Sequence, residues 1–284
     1  MTFPLRGGIA VVSGAAGGIG AALALELASR SCHLALIDRD GEALARVAAA
    51  ARRDGVTISE HTADVADPAA ADGLRQAVLA AHGRTSVLIN NAGVALLGRF
   101  DEIALTDMEW LFAINFWGTV RMCKAFVPVL RREPAAQIVN LSSIFGIVAP
   151  AGQTAYAAAK FAVRGFSEAL MHELEDTAVD VSVVHPGYVN TAIARSARIA
   201  AAADPKEAAE KIANFDRMTG TTAEQAAARI VAGIERRQKR ILVGRDAAWL
   251  DWMQRIFPVS YWGLMKRRAA RQIARLAANS ELRS

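Results

Sequence analysis

Short apolar runs recur along the first 190 residues, at 8–13, 33–38, 56–62, 86–90, 137–142 and 179–185. Most lack polar alternation (Ile-Ala-Val-Val, Val-Leu-Ile-Asn), as strands buried on both faces of a parallel sheet require. Between them lie Ala- and Leu-rich stretches of helical character at roughly 18–35, 40–53, 68–82, 106–131 and 154–177. That alternation predicts an α/β fold, a doubly wound parallel sheet with helices on both faces and right-handed crossovers. A last strand is expected at 239–244, bringing the sheet to about seven. A capping box at 221–224 should open the helix before it, which runs to about Gln238. Residues 191–220, Ala-rich and polar with no obvious strand, read as a mobile segment over a site. Two amphipathic helices, split near Pro258, should fill 246–280 as a C-terminal extension. No repeat or linker divides the chain, so one domain across 1–284 is expected.

Composition narrows the class. The 284 residues are 53% hydrophobic and 21% charged, which fits a soluble protein with a large core. Two cysteines, Cys32 and Cys123, suggest no disulfide framework, and a reducing cytoplasmic compartment is the default. Residues 1–29 combine Arg6 with an apolar run that resembles an export signal, but their glycines suit a phosphate loop better. No apolar run of about 18 residues exists, so no transmembrane helix is expected. The net charge of +5 is uneven: from Arg236 onward there are 12 Lys/Arg and 3 Asp/Glu. The body before it is therefore mildly acidic.

The first strand runs into Ser13-Gly14-Ala15-Ala16-Gly17-Gly18-Ile19-Gly20 and then a helix. Phosphate can reach backbone N–H groups only where side chains are absent, and a helix N-terminus favours its charge. The spacing departs from G-x-G-x-x-G, and glycine-rich turns also join strands to helices without any ligand. The second strand ends at Asp38, whose carboxylate can accept both hydroxyls of an adenosine ribose and would repel a 2′-phosphate. NAD is favoured on that ground. Arg39 beside it keeps NADP open, since a guanidinium pairs with phosphate.

This combination resembles the short-chain dehydrogenase/reductase family over about residues 8–244, which implies a Rossmann-type fold and a nicotinamide cofactor. The glycine spacing of Gly14, Gly18, Ile19 and Gly20 is that family's. Asp64-Val65 matches the pair that holds the adenine. Asn90-Asn91-Ala92-Gly93 matches the segment that supports the sheet, with Asn91, Ala92 and Gly93 bordering the cofactor. Pro186-Gly187 matches the turn over the nicotinamide, and Val189 and Thr191 the groups that bond its carboxamide.

Tyr156 and Lys160 stand four apart in a helical stretch and so share a face. Such pairs are common on helices, but here an ammonium and the cationic nicotinamide would both favour phenolate and lower the tyrosine pKa. Tyr156 could then exchange a proton with the substrate oxygen. Thirteen residues upstream lie Ser142 and Ser143; the family's spacing selects Ser143 as the donor to that oxygen. The resemblance makes Asn115 the fourth member, holding a proton relay to solvent. The expected catalytic set is Asn115, Ser143, Tyr156 and Lys160. His185 reads as structural, and His33, His61, His82 and His172 sit in scattered contexts, so no metal is expected.

The pocket should draw on the 93–100 loop, 144–153, Tyr188 and 191–220, whose Val, Leu, Ile and Phe point to an apolar alcohol or carbonyl substrate. The tail from 246 carries many aromatics followed by Lys266-Arg267-Arg268. It can pack on the sheet or a second subunit, lie on a membrane surface, or contact acyl-phosphate or nucleic acid, of which nucleic acid is not expected. Family members are commonly dimers or tetramers built through the helices at 106–131 and 154–177. An NADPH-linked reductase, a cofactor sensor without catalysis, and a membrane adaptor are the competing readings.

Overall fold

The computed structural model describes residues 2–217 and 220–266. Seven parallel strands form the central sheet: β1 Ile9–Ser13, β2 His33–Asp38, β3 Ile58–Thr62, β4 Val87–Asn90, β5 Ala136–Leu141, β6 Val179–Pro186 and β7 Arg240–Val243. Their order is β7-β6-β5-β4-β1-β2-β3. The central strands are the uninterrupted apolar runs, and β1, β4 and β5 are buried at every residue. The polar sequence of β3 (Ile-Ser-Glu-His-Thr) places it at an edge, half exposed.

Helices α1 Gly18–Ser29, α2 Gly41–Ala51 and α8 Ala223–Glu235 cover one face; α3 Ala70–His82, α5 Thr119–Leu130 and α6 Thr154–Glu173 cover the other. Strand alternation splits the core between them. Ala10 and Val12 of β1 join Leu23, Leu27 and Ile230, while Val11 joins Val78, Phe126 and Leu130 on the opposite face. The chain order reverses between β1 and β4, so a crevice opens beyond their C-terminal ends, where open α/β sheets bind ligands.

Several boundaries differ from the expected ones. Helix α1 stops at Ser29 rather than at 35, because Ser31 turns left-handed (φ 59°) to start β2. The stretch 106–131 is not one helix: α4 Leu105–Phe112 passes into a π-helical turn, Ala113–Gly118, before α5. The capping box falls one residue later than expected, at Thr222 and Gln225, because Thr221 already pairs with Val189 in a short parallel bridge. Segment 191–220 holds a helix, α7 Pro205–Arg217, and Arg198–Ile199 pairs with Leu96–Leu97. The extension begins as α9 Arg245–Ile256, breaks at Pro258 and is helical again over 261–266; its remainder lies outside the described residues. The histidines are less scattered than the sequence suggests, since His61 and His82 both place Nε2 2.8 Å from the Ser59 hydroxyl.

Candidate active site

The glycine loop leaves β1 at Gly14 (φ 66°) and enters α1 at Gly18 (φ 54°). A Cβ on Gly20 would stand 2.0 Å from the Gly14 carbonyl oxygen, so the first turn of α1 closes onto the loop only with glycine there. Gly17 is the opposite case: nothing in the protein lies within 4 Å of the place a Cβ would take. The bare side of the loop therefore faces open space at a helix N-terminus, a cradle suited to a diphosphate. Asp38, at the end of β2, accepts the Ala16 N–H at 2.9 Å and the Asp40 N–H at 3.1 Å. It holds the loop and lines the same cavity.

The Asn-Ala-Gly turn after β4 supports this loop from below. Asn91 Nδ2 donates to the Ser13 and Gly14 carbonyls at 3.0 and 2.9 Å, and the buried Ser13 hydroxyl accepts the N–H groups of Asn91 and Ala92. Ser13 carries no signal in the sequence that would have singled it out. Gly93 sits where a Cβ would meet Asn115 Oδ1 at 3.4 Å and Lys160 Nζ at 3.5 Å. Those two groups thus converge on one spot.

Asn115 lies in the π-helical turn, and both ends of its amide are committed to Val94: Oδ1 accepts its N–H at 2.8 Å and Nδ2 donates to its carbonyl at 2.9 Å. This side-chain pairing stitches the helix to the loop after β4, where a regular α-turn would have been expected; single π turns often mark functional positions. Lys160, buried on α6, donates from Nζ to the Leu141 carbonyl at 3.0 Å and lies 5.7 Å from the centre of the Tyr156 ring. Burial lowers its pKa to about 8.

Ser142 and Ser143 separate cleanly. Ser142 Oγ donates to the Lys160 carbonyl at 2.8 Å, a structural tie between β5 and α6. Ser143 Oγ accepts the Phe145 N–H at 3.1 Å, and Ser143 lines the same cavity as Tyr156, whose phenol it draws toward a lower pKa. Burial nevertheless pushes that phenol up to about 12, outweighing the opposite pull of Ser143. The sequence-based expectation of a lowered tyrosine pKa is therefore not met by the protein's own groups, because the phenol itself is buried.

Glycine loop, Asp38, Ser143, Tyr156 and Lys160 face one cavity of about 390 Å³. A family model for short chain dehydrogenases matches residues 8–202, the stretch that supplies all of them. This chain belongs to the short-chain dehydrogenase/reductase family. It is an oxidoreductase. Among similar proteins, SadH of Mycobacterium tuberculosis is 41% identical over 263 residues, 92% of this chain and 94% of SadH. D-threitol dehydrogenase of Mycolicibacterium smegmatis is 36% identical, covering 69% of this chain and 75% of its own. A short-chain dehydrogenase/reductase from Burkholderia phymatum, solved in complex with NAD, superposes with a TM-score of 0.82 at 29% identity, covering 90% of this chain and 95% of that one.

The far wall of the short-chain dehydrogenase site is the turn after β6. Thr191 reaches across to the glycine loop, its Cγ2 3.3 Å from where a Cβ on Gly18 would stand. Pro186, Gly187, Val189 and Thr191 all line the cavity, with Ile19, Asn91, Ala92 and Gly93 opposite. Asp246 at the start of α9 anchors the turn: its Oδ2 accepts the Tyr188 N–H at 2.7 Å, and a Cβ on Gly187 would collide with it at 2.2 Å. Sequence reasoning missed this aspartate, which lies in the extension and looks there like an ordinary first-turn acid. His185 Nδ1 lies 2.9 Å from the Ser143 carbonyl oxygen and so carries the proton. Burial holds the His185 pKa down to about 4, so it stays neutral and steadies the serine.

Five expected residues do not line the cavity. Gly20 acts through Gly14, and Asn115 through Val94 and Gly93. Arg39 is exposed at the end of β2, Asp64 is exposed with Oδ1 on the Ala66 N–H, and Val65 is buried against Gly118. Both cysteines are buried thiols pushed up to about 12, inert in this setting. No helix among the described residues is long and apolar enough to cross a membrane.

Proposed function

We propose that this enzyme is an NAD(H)-dependent dehydrogenase/reductase that interconverts an apolar secondary alcohol and its ketone, or an alcohol and its aldehyde. The observation that carries the reading is that Ser143, Tyr156 and Lys160 line the same cavity as the glycine loop. The bare Gly17 face, the Asp38 carboxylate and the Thr191 wall suit a dinucleotide. Asp38 favours a free ribose hydroxyl pair, hence NAD over NADP, while Arg39 is exposed and does not line the cavity. Bound there, the nicotinamide supplies the hydride acceptor or donor.

The chain's own groups handle the oxygen and the proton. Ser143 donates to the substrate oxygen as negative charge builds on it. Tyr156 gives its proton to that oxygen in reduction and takes one in oxidation. Lys160, with a pKa of about 8, can pass a proton on near neutral pH. Asn115 sits against the same Gly93 and holds the exit of that relay in place. A protein that merely sensed the cofactor would have no physical use for a buried ammonium beside a buried phenol.

The substrate end is walled by Ala95, Leu97, Ile144, Phe145, Ile193 and Phe215, with Gln153 and Ser196 the polar exceptions. That favours an apolar substrate over a polyol such as the one named for the mycobacterial relative. A panel of apolar ketones and alcohols beside threitol, followed by nicotinamide absorbance with each cofactor, tests both points. Apolar ketones should turn over with NADH preferred at least tenfold, and Asp38→Ala should erase that preference. A wild type that prefers NADPH and loses the preference in Arg39→Ala would reverse the cofactor assignment.

We further propose assembly as a homodimer or homotetramer through the α4–α6 surface, where Trp117 is exposed in a depression shared with Lys124 and Phe161 is exposed on α6. Light scattering should give two or four times the chain mass of 30.2 kDa, falling on Trp117→Glu.

A further inference from the structure

Helix α9 has two unlike faces. Ala247, Leu250 and Met253 pack inward on Ile144, Ile147 and Val148, the segment that follows Ser143. The outward face shows Trp252 at 57% exposure and Ile256 at 50%, one turn apart. Just past the helix, Phe257 is 40% and Val259 91% exposed. Four large apolar side chains within eight positions are more than a solvated surface helix carries.

Charge adds a second, independent observation. Residues 245–284 hold 8 Lys/Arg and 3 Asp/Glu, so the entire net charge of +5 belongs to this end and the rest of the chain is neutral, at 25 of each sign. Apolar side chains that include tryptophan, joined to a basic stretch, match the chemistry of an anionic lipid surface: rings and aliphatics enter the headgroup boundary, cations meet the phosphates. Nucleic acid would use the cations but leave Ile256, Phe257 and Val259 unburied. We propose that the outer face of α9, with Phe257 and Val259 just past it, docks this enzyme on the surface of an anionic bilayer, the basic sequence of this end adding the attraction.

Position makes the docking relevant to catalysis. Tyr261, beyond the Pro258 break, accepts the Ala149 N–H on its hydroxyl at 3.1 Å, and α9 packs on the same 144–149 segment. Ile144 and Phe145 of that segment also wall the substrate end of the cavity. A bilayer under α9 would therefore lie beside the segment that walls the substrate end, where an apolar substrate partitions. The inference holds even if the reaction assigned above is wrong, because it rests on the outer surface alone.

Co-sedimentation of the full chain with vesicles of phosphatidylcholine, with and without about a third phosphatidylglycerol, tests it. The wild type should sediment with the anionic vesicles, not the neutral ones, and half-molar salt should release most of it. Trp252→Glu/Ile256→Glu should weaken binding about tenfold or more while melting temperature, solution mass and turnover of soluble substrates stay as in the wild type. Wild type that stays in the supernatant, or that binds a DNA duplex but not vesicles, would overturn the proposal. So would a double variant that binds vesicles as well as wild type, or one whose solution mass falls, since the patch would then be covered by a second copy.

Discussion

Tyr156→Phe should lower kcat in both directions by about a thousandfold or more while cofactor affinity changes by less than about twofold. The hydroxyl lies in the same cavity as Ser143 and can both give and take a proton, and phenylalanine keeps the ring that packs edge-on against Phe145 at 6.2 Å. Fold and cradle should survive, so a fluorescence titration with NADH separates loss of chemistry from loss of binding. The pH profile adds a sign. Burial holds the phenol up to about 12, so it is protonated throughout the neutral range. Reduction, which needs the proton, should be flat from pH 6 to 8; oxidation, which needs the phenolate, should climb with pH. A variant retaining more than about a tenth of wild-type turnover would remove Tyr156 from the mechanism.

The sequence made the site legible wherever a residue type has a single physical use at its place. Gly14, Gly18 and Gly20 are such residues: two have left-handed backbones and the third lies in backbone contact, and no other side chain fits. The apolar strands were legible for the same reason, since a run without polar alternation has to be covered twice. What escaped depends on distant contacts. The π turn at Ala113–Gly118 exists because Asn115 pairs with Val94, 21 residues away, and helical periodicity alone reads through it. Asp246 binds the Tyr188 backbone across 58 residues, and nothing local marks it. The direction of the tyrosine pKa set by the protein's own groups escaped because it follows from burial of the phenol, which an i, i+4 spacing does not reveal. The registry of the capping box slipped by one because Thr221 is taken by a strand pairing that only the fold creates.

Lys160→Met should abolish turnover and yet raise the melting temperature of the protein without added cofactor by a few degrees at pH 7. The wild-type ammonium is buried with one carbonyl partner, and the drop of its pKa from 10.5 to about 8 corresponds to ~3 kcal/mol of destabilisation in the charged form. Methionine has nearly the same shape and no charge, though it leaves the Leu141 carbonyl unpaired at a cost of ~1–2 kcal/mol. The difference, ~1–2 kcal/mol, favours the variant. Its pH dependence identifies the cause. Below pH 8 the lysine is protonated both folded and unfolded, and the penalty is complete. Between about 8 and 10.5 the unfolded chain binds the extra proton, so wild-type stability rises with pH and the gap to Lys160→Met closes. A gap that stayed constant from pH 7 to 10 would mean that the lysine is not a desolvated charge. If instead the variant melts below wild type at pH 7, the Leu141 hydrogen bond outweighs the burial cost, and Lys160 holds β5 to α6 as well as serving the proton relay.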